Sequence, residues 1–155
     1  AVSKGPGSYT GLRIGVSTAK GLCYALDIPL IAISTLSSLA RQVTGSLVVP
    51  MLDARRMEVY SAVFSSEMEQ IREIKAQIIT QDSFKTYLDR GQVTFIGDGV
   101  EKFEAVCTHP NAVFIKNALP SASQMAEVAT LKLSANQTQD VAYFEPYYLK
   151  DFISL

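Results

Sequence analysis

Cysteine and histidine are nearly missing from this sequence: Cys23, Cys107 and the single His109 are all that 155 residues contain. So few groups, so far apart, cannot make a disulfide framework or a metal-ligand cluster at familiar spacings. An excess of either charge is missing too, with 14 Lys and Arg against 15 Asp and Glu. No broad electropositive field therefore exists to hold a polyphosphate backbone unaided, and any RNA is expected to be gripped by something else. The longest nearly unbroken apolar run, Leu47 to Leu52, contains Pro50 and falls far below the roughly 20 residues that span a bilayer. No charged-then-apolar leader precedes it. Membrane and secretion readings drop out, and a reducing cytoplasm is the expected setting. A catalytic triad is not expected either. His109 precedes Pro110 in a short polar loop, and no serine sits in a nucleophile-elbow pattern. Cys23 and Cys107 read as packed small residues rather than activated thiols.

What is present is a globular composition, 48% hydrophobic, sufficient for one substantial core or two packed lobes. The chain opens on Ala1-Val2-Ser3-Lys4 without an initiating Met and reads as a piece of something longer. After the loop Gly5-Pro6-Gly7-Ser8-Tyr9, Thr10 is a plausible N-cap for a helix over Gly11–Leu26, with apolar residues at Leu12, Val16, Ala19, Leu22 and Leu26. Pro29 introduces a short strand, Leu30 to Ile33, and Ser34 or Thr35 caps a second helix through Val43 that stops at Gly45. This alternation predicts a parallel sheet.

From Leu47 the pattern changes to successive strands: Leu47–Leu52, then Met57, Val59, Ser61 and Val63, then Ile71 to Ile79, close enough to pair antiparallel. A helix over 82–90, strands over 93–96 and 112–115, a short helix to Val106 and a helix over 121–133 complete a second α/β lobe. The expected organisation is therefore 1–45 as the remainder of a first lobe, 46–142 as a second lobe, and 143–155 as an aromatic tail packing back on the fold.

Several local patterns could carry function. The loop from Gly5 through Arg13 feeds directly into a helix whose first amides lack intrahelical acceptors, an end that can bind an anion through Gly5, Gly7, Ser8, Thr10 and Arg13. A purely structural turn is the commoner use of such glycines, and the spacing misses both phosphate-loop patterns, with Thr10 and Leu12 where Gly and Lys are required. Along the helix, Gly11, Gly15, Ala19 and Cys23 recur every fourth residue as a ridge almost without side chains. Two interior glycines cost about 1 kcal/mol each relative to alanine, which asks for a compensating contact. Either the chain's own sheet or a subunit interface can supply it, the latter with Ile14, Thr18, Leu22 and Ala25. Asp53-Ala54-Arg55-Arg56-Met57-Glu58 sets a carboxylate at a strand end. Its plainest reading is a hairpin entry stitched by Arg55 or Arg56 to Asp53 or Glu58. Gly97-Asp98-Gly99 reads as a turn before it reads as a nucleotide contact.

Taken together, Ser3 through Val16 with Thr18-Ala19-Lys20-Gly21-Leu22, then Asp53 through Tyr60, then Pro146-Tyr147-Tyr148-Leu149-Lys150 closely resemble the three characteristic stretches of the TsaB (YeaZ) family. The resemblance spans nearly the whole chain. It implies an α/β, actin-like, two-lobed fold of the sugar kinase and Hsp70 superfamily, here with an incomplete first lobe that leaves sheet edges at Val2 and Ile31. It also implies a non-catalytic, glycoprotease-like paralogue of TsaD in the formation of threonylcarbamoyladenosine on tRNA. The implied partners are a TsaD-type catalytic subunit, a TsaE-type ATPase, a second copy in their absence, and tRNA indirectly. No cofactor is implied for this chain, though a nucleotide at the partner interface is compatible with it. Family members pair through the helix after the glycine loop, which assigns Gly11, Ile14, Gly15, Thr18, Ala19 and Leu22 to that interface. The competing reading is an actin-like ATPase that uses the glycine loop and Asp53 or Asp98 around a nucleotide and magnesium. A metal-dependent glycoprotease needs histidines that the sequence lacks.

Overall fold

The structure, a computed structural model, describes residues 1–150. It divides into two compact units, one joining Ala1–Ser38 to the segment from Ser121 onward, the other comprising Leu39–Pro120. This differs from the expected boundaries near 45 and 142, because the segment after Ser121 belongs with the first unit. Gln139 bridges to Leu30, a pairing between distant parts of the chain that no local sequence period reveals.

In the first unit, β1 (Val2–Gly5) and β2 (Ala32–Ser34) form a two-stranded parallel sheet joined through α1 (Tyr9–Leu26). The Val2 N–H donates to the Ile31 carbonyl at 2.8 Å, so the expected edges at these residues meet each other. The helix starts earlier than predicted. Ser8, not Thr10, is its N-cap, with a hydroxyl that accepts the Gly11 N–H at 3.3 Å. It stops where Asp27 enters the left-handed region at φ 52°. Leu12, Val16 and Cys23 form its buried stripe. The unit also holds α5 (Met125–Ser134), preceded by one 3-10 turn at Ala122–Gln124. Between them in sequence, α2 (Thr35–Ala40) ends short of the predicted Val43.

The second unit is a five-stranded mixed sheet in the order β5-β4-β3-β6-β7. Its strands are β3 (Leu47–Asp53), β4 (Glu58–Phe64), β5 (Gln70–Ile78), β6 (Val93–Gly97) and β7 (Ala112–Lys116). The β3-β4-β5 meander is antiparallel, as alternation predicts, while β3, β6 and β7 run parallel. The short helices α3 (Lys85–Leu88) and α4 (Val100–Glu104) connect the parallel part. The helix expected over 82–90 shrinks because Phe84 sits at φ 62°, outside helical space. That conformation accompanies burial of its ring, 5.5 Å from both Phe95 and Phe103. Phe95 and Phe103 in turn lie 4.7 Å apart, edge to face. Val49, Met51, Val59, Val63 and Leu88 complete this core, each at most 1% exposed. Burying such a side chain contributes about 1.5–3 kcal/mol, so this cluster supplies much of the unit's stability.

Candidate partner interface and the glycine loop

The side chains on α1 divide by helical angle. Each four-residue step turns the helix by about 40° beyond a full rotation, so the small-residue ridge is not a straight line against the sheet. It starts exposed at Gly11, passes through half-buried Gly15 and Ala19, and ends buried at Cys23. Leu12, Val16 and Cys23 are the buried positions of the helix, while Gly11 stays exposed and Gly15 half-buried. A methyl group built on Gly15 would meet nothing within 4 Å, and one on Gly11 would touch only Ser8. The two glycines are therefore not explained by packing against the chain's own sheet. Beside them Ile14 is 64% and Leu22 56% exposed, with Thr18 also exposed. All six residues expected at an interface thus lie on one helix: four are exposed, and Gly15 and Ala19 are half-buried.

Gly5, Gly7, Ser8, Thr10 and Arg13 gather in the turn from β1 into α1 and in the helix's first turns, where the tail meets them. The Tyr147 N–H donates to the Lys4 carbonyl at 2.7 Å. Gly5 has φ 109°, and a methyl group there would lie 2.8 Å from the Tyr147 carbonyl oxygen. Its lack of a side chain serves the tail's close approach, and the group that faces it is an acceptor, which does not attract anions. Tyr148 stacks obliquely on Tyr9 at 4.7 Å. Arg13 donates from Nη2 to the Tyr9 hydroxyl at 2.6 Å and lies over the same ring at 4.3 Å. Further along the helix, Lys20 Nζ donates to the carbonyls of Ala142 and Phe144 at 3.1 and 2.9 Å. In the tail expected to pack back over 143–155, Tyr148 meets Tyr9 while Tyr143 stays 84% exposed; residues 151–155 lie outside the described residues. Lys20 was not predicted in this role, since nothing in its surroundings in sequence marks carbonyls that arrive from the far end of the chain. Lys20→Met is expected to cost about 1 kcal/mol in urea unfolding and to speed amide exchange over 142–148.

In the second unit, Asp53 lies at the carboxyl end of β3, but arginine side chains do not stitch it as expected. Its Oδ2 pairs with Lys102 Nζ on α4 at 2.9 Å, and its Oδ1 accepts the Arg55 backbone N–H at 2.7 Å. Lys102 also donates to the Glu58 carbonyl at 2.9 Å, and Asp98 Oδ1 accepts the Asp53 N–H at 2.9 Å. Lys102 was illegible because its partner lies on a different element, far away in sequence. Both carboxylate oxygens of Asp53 thus have partners within the chain. Gly97-Asp98-Gly99 forms the turn predicted for it, with the Gly99 N–H donating to the Met51 carbonyl at 3.1 Å.

Partial burial pushes the Asp53 carboxyl up, but the Lys102 bond, the Arg55 amide and the Lys102 charge outweigh it and leave the group below its ordinary value. A carboxyl depressed in the folded state stabilises above its unfolded pKa of about 3.9 and loses that contribution as pH falls through the folded value. Asp53→Asn is therefore expected to lower the urea midpoint at neutral pH. The gap to wild type should close in acid below the folded value.

The architecture defines an α/β protein whose first helix leaves Ile14 and Leu22 exposed. Among the described residues no helix is long and apolar enough to cross a membrane. Residues 1–153 match a family model described as TsaD, tRNA N6-adenosine threonylcarbamoyltransferase. A Haemophilus influenzae relative, tRNA threonylcarbamoyladenosine biosynthesis protein TsaB, is 30% identical over 99% of this chain and 70% of its own length. The protein of the same name from Bacillus subtilis is 53% identical over 41% of this chain, a match spanning 28% of that relative. The solved structure of YeaZ from Pseudomonas aeruginosa superposes with a TM-score of 0.82 at 25% identity, over 95% of this chain and 71% of that one. The chain belongs to this family, as a member of its TsaB (YeaZ) branch.

Proposed function

We propose that the chain is a non-catalytic subunit of the complex that forms threonylcarbamoyladenosine on tRNA, docking through α1 on a TsaD-type catalytic subunit. The relatives named TsaB supply the pathway, and the observation that carries the docking role is the uncovered glycine stripe of α1. Three glycines, Gly11, Gly15 and Gly21, inside an 18-residue helix sacrifice helical stability, and among the described residues no atom lies within 4 Å of a methyl group built at Gly15. A second backbone approaching along Gly11, Gly15 and Ala19, with Ile14 and Leu22 as flanking apolar contacts, would recover that loss. This is the close approach that small-residue ridges permit.

In this reading the fold is the two-lobed actin-like one. A TsaE-type ATPase joins the pair, a second copy of the chain takes the helix face when the catalytic subunit is absent, and tRNA is met through the assembly in the cytoplasm. The chain requires no cofactor of its own, and a nucleotide would lodge, if anywhere, at the partner interface. The test is reconstitution, with modified nucleoside measured by mass spectrometry of digested tRNA. The TsaD-type subunit and TsaE-type ATPase are expected to be strongly dependent on this chain, and the chain alone should form no product. Product formation independent of the chain, or product from the chain alone, would sink the proposal.

A further inference from the structure

The turn between β3 and β4 places two arginines in succession at left-handed backbone angles, Arg55 at φ 69° and Arg56 at φ 52°. Asparagine and glycine take such positions readily, whereas a long side chain there is strained. Local preference and fold disagree at this point, and such disagreement in a well-determined frame marks a place retained for something other than folding. The frame is indeed fixed. Asp53 caps the turn through the Arg55 N–H, Lys102 holds Asp53, and Asp98 holds the Asp53 backbone.

The arginines were expected to be used internally by Asp53 or Glu58, and they are not. Lys102 takes Asp53, while Arg55 and Arg56 are exposed and have no side-chain partner among the described residues. They stand at the carboxyl ends of the parallel strands β3 and β6, the side on which open α/β sheets hold ligands. Two exposed guanidinium groups on adjacent residues can together donate to an oxyanion with several acceptor oxygens.

We infer that Arg55 and Arg56 form a phosphate-binding turn that takes backbone phosphodiesters of the RNA handled by the complex. This rests on the proposed role in tRNA modification, which brings a polyphosphate chain to the assembly. The nearly balanced charge of the protein restricts the contribution to a local contact that positions RNA held mainly elsewhere.

Arginine Nε–Hε NMR resonances of the full chain report on the two guanidinium groups whether or not it assembles with another subunit. Failure of the docking proposal and failure of this one are therefore separable. A short single-stranded RNA oligonucleotide at low salt is expected to shift the Arg55 and Arg56 resonances, and inorganic phosphate at the same concentration, which offers a single anion without counterion release, to shift them far less. In the complex with the TsaD-type subunit, the double variant Arg55→Gln, Arg56→Gln should assemble normally. It should reduce the slope of log tRNA affinity against log salt by about two. No shift at these residues with RNA, equal shifts with inorganic phosphate, an unchanged salt slope, or loss of the protein partner in the variant would each overturn the inference.

Discussion

Gly97→Ala is expected to destabilise the second unit by about 4 kcal/mol or more, at the extreme of what single substitutions do. Two causes act together. Gly97 has φ 133°, and a methyl group there would lie 2.0 Å from the Met51 carbonyl oxygen and 3.0 Å from a Leu39 methyl carbon. The first atom belongs to the backbone of β3, which is paired to β6 in register and cannot rotate away. Backbone strain at this φ and an unavoidable clash therefore add, where a collision with the end of a flexible side chain could be relieved. The measurement is a urea titration with hydrogen exchange on β3 and β6. Loss of protection in those strands, with the Asp98 bond to the Asp53 N–H broken, is the expected result. At Gly5 the corresponding clash, with the carbonyl of Tyr147, is less severe at 2.8 Å, so Gly5→Ala should be milder and confined to the first unit.

Gly15→Leu should act in two directions at once. Among the described residues nothing lies within 4 Å of a methyl group at this position, so the first carbon of a larger side chain is accommodated without a clash. Replacing an interior helical glycine by a strong helix former gains about 1 kcal/mol, and the melting temperature of the isolated chain should rise by several degrees. Docking along the glycine stripe should fail, because an isobutyl group prevents the backbone approach that the stripe permits. Higher stability with lost assembly separates a docking defect from unfolding. A variant that is less stable would instead mean that Gly15 is packed in the folded chain.

The regular parts of the fold were open to sequence reading where a single period dominates. Alternation at Val59, Ser61 and Val63 gave β4 and its antiparallel neighbours, and the apolar spacing of Leu12 and Val16 gave the buried face of α1. The helix over 82–90 was misread because the helical pattern there competes with burial of Phe84, whose ring packs in the core at a cost in backbone geometry. The candidate site was legible in its exposure and less so in its wiring. That Ile14, Thr18 and Leu22 lie on the exposed side of α1 follows from helical angle alone. Lys20 and Lys102 did not announce themselves. Each is one lysine among exposed charges until the fold brings carbonyls or a carboxylate from a distant element to it.

The docking proposal is tested most directly by the mass in solution, by light scattering, of the chain mixed with a TsaD-type subunit, for wild type and Gly15→Leu. The expected result is a stable heteromeric mass for wild type and two separate masses for the variant, with both chains folded. A folded wild type that remains separate from the catalytic subunit, or a Gly15→Leu chain that assembles as well as wild type, would contradict docking through α1.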